Sequence, residues 1–381
     1  MQFFDPEKDK EERERCNDPM THRERFLATV LGQPRDRAPY WIYWWVWGAT
    51  WERWQREGLP GEFKTFADVK AHLGADEPPR TVPVKLGPLP DLSAKVGEDD
   101  ESVTYIDSWG IRRRNLKGNE GMSEFLSWPV QTRDDWRRYR DERLNPADPR
   151  RLAGDWREKG KAWMAAGLPI QLGTFPDTGV FGTLRWLLGD EECLTAFCAE
   201  PDWVHEIMDH LTTLWLEVFG HVVKEVRVDV IHLWEDMCGK QGPLISPAHW
   251  REFMAPHYRR IRAFADAHGI PVVSVDTDGQ PDLIVPPMLE AGVNLLFPME
   301  FAAGADVNVF RTKYPGLALM GGIDKRALAL GPAAIDAELE RIRPAWESGR
   351  YLPDLDHHIP PDVSWKNFQH YAAALKEMVK G

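Results

Sequence analysis

The last third of the chain repeats one pattern five times: a short apolar run followed at once by carboxylates or imidazoles. Val230-Ile231-His232-Leu233-Trp234 runs into Glu235-Asp236, and Val272-Val273-Ser274-Val275 into Asp276-Thr277-Asp278-Gly279. Asn294-Leu295-Leu296-Phe297 leads to Pro298-Met299-Glu300, and Leu317-Ala318-Leu319-Met320 to Gly321-Gly322-Ile323-Asp324. Tyr351-Leu352-Pro353 leads to Asp354-Leu355-Asp356-His357-His358. Amphipathic, helix-like segments separate the runs. Short apolar runs of this kind read as buried parallel strands, which need helices to return the chain between them. The pattern predicts an α/β chain folded as a single (β/α)8 barrel of the TIM type. In such barrels the chemistry sits at the C-terminal ends of the strands, where this sequence places its acids and histidines.

A chain of 381 residues has the length of one such barrel, and a hydrophobic fraction of 43% supplies a large core. The formal charge of −13 argues against a nucleic-acid partner, which requires a basic face. Four cysteines, Cys16, Cys193, Cys198 and Cys238, form no CxxC pair, and no disulfide framework is expected. Residues 1–25 are densely charged without an apolar signal segment, and no 18-residue apolar run exists. A cytoplasmic protein with no membrane partner is the expectation. No glycine loop suited to a dinucleotide appears, so neither NAD nor flavin is indicated.

Residues 1–20 read as an N-terminal arm. Residues 21–32 read as a helix opened by Thr21 and Glu24 in a capping box. Pro39-Tyr40-Trp41-Ile42-Tyr43-Trp44 is the expected first barrel strand, and residues 62–128 a β-rich insertion after it. The barrel unit as a whole spans residues 21–381. Residues 202–225 form the clearest amphipathic helix, and Ser246-Pro247 opens another.

At the strand ends, Asp276 and Asp278 stand at i and i+2 and point the same way if the backbone stays extended. They read either as helix caps or as a functional pair sharing a proton or a cation. One of Glu235 and Asp236 is expected to face the barrel mouth, and Glu235 is the preferred one. His357 beside Asp356 is placed to act as ligand or general acid. Glu300 and Asp324 are further substrate-binding candidates, with Arg185 as a carboxylate partner. The cluster Trp41, Trp44, Trp45, Trp47, Trp51, Trp54 either fills core or lines the mouth. As a lining, Trp44 and Trp47 suit a methoxy-aromatic by stacking or an onium group by cation–π attraction.

Several of these segments resemble the uroporphyrinogen decarboxylase superfamily. Glu235-Asp236-Met237 through Gly242-Pro243-Leu244-Ile245-Ser246-Pro247 carries the likeness, as do Asp276-Thr277-Asp278-Gly279, Gly321-Gly322-Ile323-Asp324 and Asp356-His357-His358-Ile359-Pro360-Pro361. Thr21-His22-Arg23-Glu24-Arg25-Phe26 is similar too, and Trp51-Glu52-Arg53-Trp54 resembles the uroporphyrinogen-decarboxylase-like branch. The resemblance implies the same barrel and is compatible with a homodimer. The superfamily also contains zinc-dependent corrinoid and coenzyme M methyltransferases. The decarboxylases' Arg-Gln-Ala-Gly-Arg-Tyr motif is replaced by Trp44-Trp45-Val46-Trp47-Gly48-Ala49-Thr50, which lacks the guanidinium groups that clamp carboxylates. The methyltransferases' His-x-Cys place reads Asp276-x-Asp278, and their late Cys place is His357.

The resemblance therefore implies a divalent metal, zinc in the family, held by Asp276, Asp278, His357 and Glu235. Hard oxygen ligands would favour other ions over a thiolate-type zinc centre. The leading expectation is metal-assisted methyl transfer between a small methylated substrate, a methyl ether or a methylamine, and a corrinoid protein. Asp276, Asp278, His357 and Glu235 are the expected catalytic residues. The alternative is a decarboxylase of uroporphyrinogen or of a smaller acid, with Arg185 or Arg311 holding the carboxylate. A third reading is a non-catalytic ligand-binding barrel.

Overall fold

A computed structural model describes residues 20–118 and 121–380 of the chain. The expected N-terminal arm, apart from Met20, lies outside them. The strands in chain order are β1 (Arg80–Thr81), β2 (Ala94–Glu98), β3 (Ser102–Ile106), β4 (Arg112–Leu116), β5 (Glu124–Ser127), β6 (Ile170–Leu172) and β7 (Val230–Trp234). Next come a short hairpin, β8 (Cys238–Gly239) and β9 (Gly242–Pro243), and then β10 (Val272–Asp276), β11 (Leu295–Phe297), β12 (Ala318–Ile323) and β13 (Tyr351–Leu355). Seven of them form a curled parallel sheet in the order β1-β6-β7-β10-β11-β12-β13. Helices return the chain between strands, as the apolar runs predicted. β7 and β13 are buried at every residue, which is why they read as unbroken apolar runs rather than alternating ones.

The expected first strand takes the remaining arc without becoming a regular strand. Its ladder bonds are replaced by side-chain bonds. Tyr43 N–H donates to the Asp354 carboxylate at 2.6 Å, and Lys70 Nζ donates to the Tyr43 carbonyl at 3.0 Å. On the β13 side the backbone pairs past the strand's end, through a parallel bridge between Val46 and Ile359. On the other side, Asp76 N–H donates to the Tyr40 carbonyl at 2.8 Å. A carboxylate and an ammonium thus stitch this segment into the barrel, a substitution that hydrophobic periodicity cannot reveal.

The insertion is narrower than expected. Arg80–Thr81, inside the 62–128 range, pairs in parallel with β6 and is a barrel strand. The β-rich part is the antiparallel sheet β2-β3-β4-β5 alone. The stretch before it includes a helix, Phe66–Leu73, with its own Thr65/Asp68 capping box.

The helices follow their sequence signals closely. Thr21 and Glu24 make the reciprocal capping box of His22–Leu31, and Gly32 closes it at φ 65°. Pro201–Val222 buries Val204, Ile207, Met208, Leu211, Leu214, Val218 and Val222 along one face, packed among neighbouring helices. Ser246 caps the run that begins at Pro247. That run passes through a π-turn at Trp250–Met254 before Ala255–Ala267. Pro256, just after the π-turn, contributes no N–H to the helical ladder. No helix among the described residues is long and apolar enough to cross a membrane.

Candidate active site

The site is built from the ends of β7, β10, β11, β12 and β13. Asp276 is the last residue of β10, in register with Trp234 of β7 and Phe297 of β11. Two residues earlier on the same face, Ser274 lies level with His232. The His232 ring stacks on Phe297 with centroids 5.3 Å apart, and Tyr43 meets Phe297 edge-on at 6.0 Å. These side chains therefore share the barrel interior, and Asp276 stands just above them.

Asp278 and His357 meet at the mouth, with Oδ2 and Nε2 3.9 Å apart. The His357 ring stacks on Trp44 at 4.8 Å and 18°. The Trp44 indole N–H is committed to the Leu355 carbonyl at 2.7 Å, so the wall that fixes His357 is itself fixed. Lys325 Nζ lies 3.7 Å from Asp356 and is partly exposed. Burial, joined by repulsion from Asp236 and Glu300, pushes the Asp278 carboxyl up to about 7. Burial, with Asp278 and Asp236 alongside, raises Asp276 well above the usual carboxylate range. Burial lowers His357 to about 3, helped by His358 and Lys325. Near neutral pH the site thus holds a protonatable carboxyl beside an uncharged imidazole.

Glu235 does not face this mouth, contrary to expectation. Its carboxylate is fully buried and accepts from the N–H groups of Val180, Phe181 and Gly182 at 2.9, 2.7 and 2.9 Å, and from the Tyr258 hydroxyl. It serves as the anion at the N-terminus of the helix Val180–Leu188. Gly179 and Gly182 make the approach possible, because a Cβ on either would lie 1.7 or 2.3 Å from the Trp234 carbonyl oxygen. Asp236 turns to the mouth instead, at φ 42°, and pairs with Arg185. Arg185 is therefore a partner of a protein carboxylate rather than a free substrate clamp.

Two further expectations change. Asp324 caps the helix Lys325–Leu330 and is held by both Nε and Nη2 of Arg326, at 2.8 and 2.7 Å, so it does not serve as a substrate ligand. Arg311 is buried and donates to the carbonyls of Leu317, Tyr314 and Pro315. Glu300 remains close to the site and accepts from Gly279 N–H at 3.1 Å. Trp47 is half-buried at the N-cap of Gly48–Arg56.

The expected metal set does not assemble. Glu235 spends its oxygens on helix N–H groups. Among the described residues no group of three or more His, Cys, Asp or Glu side chains is gathered around a common point. The donors present do not fit the centre that the resemblance implied.

Sequence reasoning passed over His232, Tyr43 and Lys325, and preferred Glu235 to Asp236. His232 carried a signal: it is the one polar residue inside an otherwise apolar strand. Two open clefts, of about 300 and 380 Å³, flank the insertion sheet and lie away from these groups.

Fold and site together define a curled parallel α/β sheet of the barrel type with a carboxylate-rich, aromatic-walled mouth. Residues 183–378 match the Uroporphyrinogen decarboxylase (URO-D) family, and the chain belongs to it. A uroporphyrinogen decarboxylase of Rhodococcus erythropolis is 32% identical over 209 residues, covering 52% of this chain and 54% of that protein. Its counterpart in Nocardia farcinica is 31% identical over 179 residues, 43% of this chain and 46% of that protein. The match spans about half the length of these relatives. A methyltransferase from Methanosarcina mazei shares the fold, with TM-score 0.60 over 94% of this chain and 99% of that one, at 17% identity.

Proposed function

We propose that this chain transfers a methyl group from the heteroatom of a small methylated substrate, an ether or an amine, to a corrinoid carried by a separate protein. Asp278 is the general acid that keeps a proton on the leaving heteroatom, and Asp276 and His357 position it. The observation that carries this reading is the protonatable Asp278 carboxyl set 3.9 Å from a neutral His357 under an aromatic wall. A carboxyl held near the working pH is matched to proton donation. The paired state of Arg185 weighs against a polycarboxylate substrate. The fold shared with a methyltransferase supports the same direction.

One observation favours a second reading. The Lys325 ammonium at the mouth is able to hold a single carboxylate, and Asp278 would then protonate the carbanion left by decarboxylation. The names of the relatives agree with that chemistry.

The test is to supply methyl-13C ethers and amines with a reduced corrinoid carrier and follow the label by NMR. Transfer should occur in the wild type. It should fall on the order of 100-fold or more in Asp278→Asn, with KM little changed. Release of CO2 from small acids without any methyl transfer would replace this reading with the second.

A further inference from the structure

Within the proposed methyl-transfer reading, on which this step rests, a further group of side chains selects the body of the substrate. Phe175, on the loop after β6, is 53% exposed, yet its ring is held in place. It meets Trp234 edge-on with centroids 4.6 Å apart and Trp186 at 5.6 Å, and the two indoles meet each other at 5.2 Å and 89°. Both indoles are buried to 8% exposure, so Phe175 is the ring of this trio that solvent reaches. The loop is tied to β7. The Thr178 carbonyl accepts from Trp234 N–H at 2.7 Å, and the Thr178 hydroxyl lies 3.2 Å from the His232 carbonyl and accepts from Thr174 N–H at 2.8 Å. An exposed ring fixed in this way offers contact area at little further cost in ordering.

The cluster runs from the mouth to the insertion sheet. Trp234 is level with Asp276 on the neighbouring strand, about 5 Å away across the ladder. On the other side, Arg113 of β4 lies over Trp186 and over Phe125 of β5, each at 4.5 Å, and its guanidinium is paired with Asp107 at 3.0 Å. Phe125 in turn stacks on Trp128 at 6.0 Å. The insertion sheet thus braces the aromatic wall from outside. The wall carries the exposed Phe175 ring one side chain away from the strand ends that hold the acids. Such a surface adds little for a small aliphatic group, whereas a flat π system gains stacking or edge contact with Phe175 beyond its area burial.

We propose that Phe175, braced by Trp234 and Trp186, is a specificity-determining residue that takes an aromatic ring of the substrate, and that the substrate is an aryl methyl ether. The ring rests on Phe175 and the ether oxygen turns to Asp278. In the transfer the O–CH3 bond breaks and its electron pair stays on oxygen. The methyl group passes to the electron pair of the reduced corrinoid, the Asp278 proton goes to the oxygen, and a neutral phenol leaves. Asp278, 41% exposed, regains its proton from solvent. A phenol ionises at about 10, as tyrosine does. Its anion is therefore a far better leaving group than an aliphatic alkoxide, and a carboxyl is acid enough to protonate it.

The test uses methoxybenzene and methoxycyclohexane, which differ only in the ring, titrated into the full-length protein and followed by ligand-observed NMR. Methoxybenzene should bind about 5-fold more tightly. Phe175→Leu, which keeps an apolar side chain, should bring the two probes within about 2-fold, and Phe175→Tyr should keep the preference, with thermal melts confirming that both variants fold. In turnover with a reduced corrinoid carrier, Phe175→Leu should raise KM for methoxybenzene about 5-fold and leave kcat within about 2-fold. Equal binding of the two rings by the wild type overturns the inference, as does a preference that survives Phe175→Leu. Methyl transfer from both ethers alike, with no aromatic preference, would discard the aromatic platform and keep the proposed function. An aromatic preference that depends on Phe175, with no methyl transfer from either ether, would keep the platform and overturn the proposed function.

Discussion

Asp278 links the chemistry of the site to the stability of the fold. Burial first, then Asp236 and Glu300, lift its carboxyl to about 7, while Lys325 opposes the rise. In the unfolded chain an aspartate ionises near 4. As pH rises from about 4 to about 7 the unfolded chain sheds this proton and the native protein keeps it. Stability therefore falls across that window and levels off above it. Asp278→Asn removes the loss. The full shift would correspond to about 4 kcal/mol, but the side chain is 41% exposed, and solvent screening reduces the expected gain to about 1 kcal/mol. Melts at pH 8 should show the variant about 2 °C above wild type, with the curves converging near pH 4. A variant that melts lower than wild type at pH 8 contradicts this account. The same substitution that stabilises the protein should abolish most of its turnover, as is expected where a site is tuned for function.

The helix Val180–Leu188 shows how one buried residue holds an element in place. Glu235 satisfies three helix N–H groups and the Tyr258 hydroxyl at once. Glu235→Ala would leave all four donors unpaired in a fully buried space, at a cost of roughly 3–5 kcal/mol. Glu235→Gln keeps the shape but turns an NH2 group towards N–H donors, and should recover only part of that loss. Urea unfolding of the two variants measures the difference. A cost below about 1 kcal/mol for the alanine variant would mean that the carboxylate is not the anchor. The loss should reach the site as well, because the same helix carries Arg185, the partner of Asp236.

Across the whole molecule, the arc between β13 and β1 depends on polar side chains. Asp354 is buried and accepts from Tyr43 N–H and Leu355 N–H, and Lys70 caps the Tyr43 carbonyl. The same segment brings Tyr43 and Trp44 to the interior and to the mouth. Asp354→Ala should cost roughly 2–4 kcal/mol, the range expected for two buried donors left open. Hydrogen exchange should accelerate in residues 39–47 while β10, β11 and β12 stay protected. Uniform loss of protection over the sheet would show that the segment is not a separately held part of the barrel.

Much of this was legible in the linear chain because it depends on short-range physics. Apolar runs with helical returns mark buried parallel strands, and Thr21 with Glu24 or Ser246 with Pro247 mark helix starts through local hydrogen bonds. The strand-end residues Asp276, Asp278 and His357 could be picked out because barrel chemistry collects at those ends. The rest required the folded backbone. A turn at φ 42° decides that Asp236 and not Glu235 enters the mouth, and alternation along a strand says nothing once the strand has ended. Residue order likewise does not show that a carboxylate of β13 replaces ladder bonds in 39–47, or that Arg80–Thr81 belongs to the barrel rather than the insertion. His232, a polar residue in an apolar run, acquires its role only in the folded sheet, where its Nδ1 meets the Ser274 hydroxyl and its ring stacks on Phe297. Local propensity is written in neighbours along the chain, whereas partner choice among buried polar groups is settled by which of them the curled sheet brings within hydrogen-bond reach.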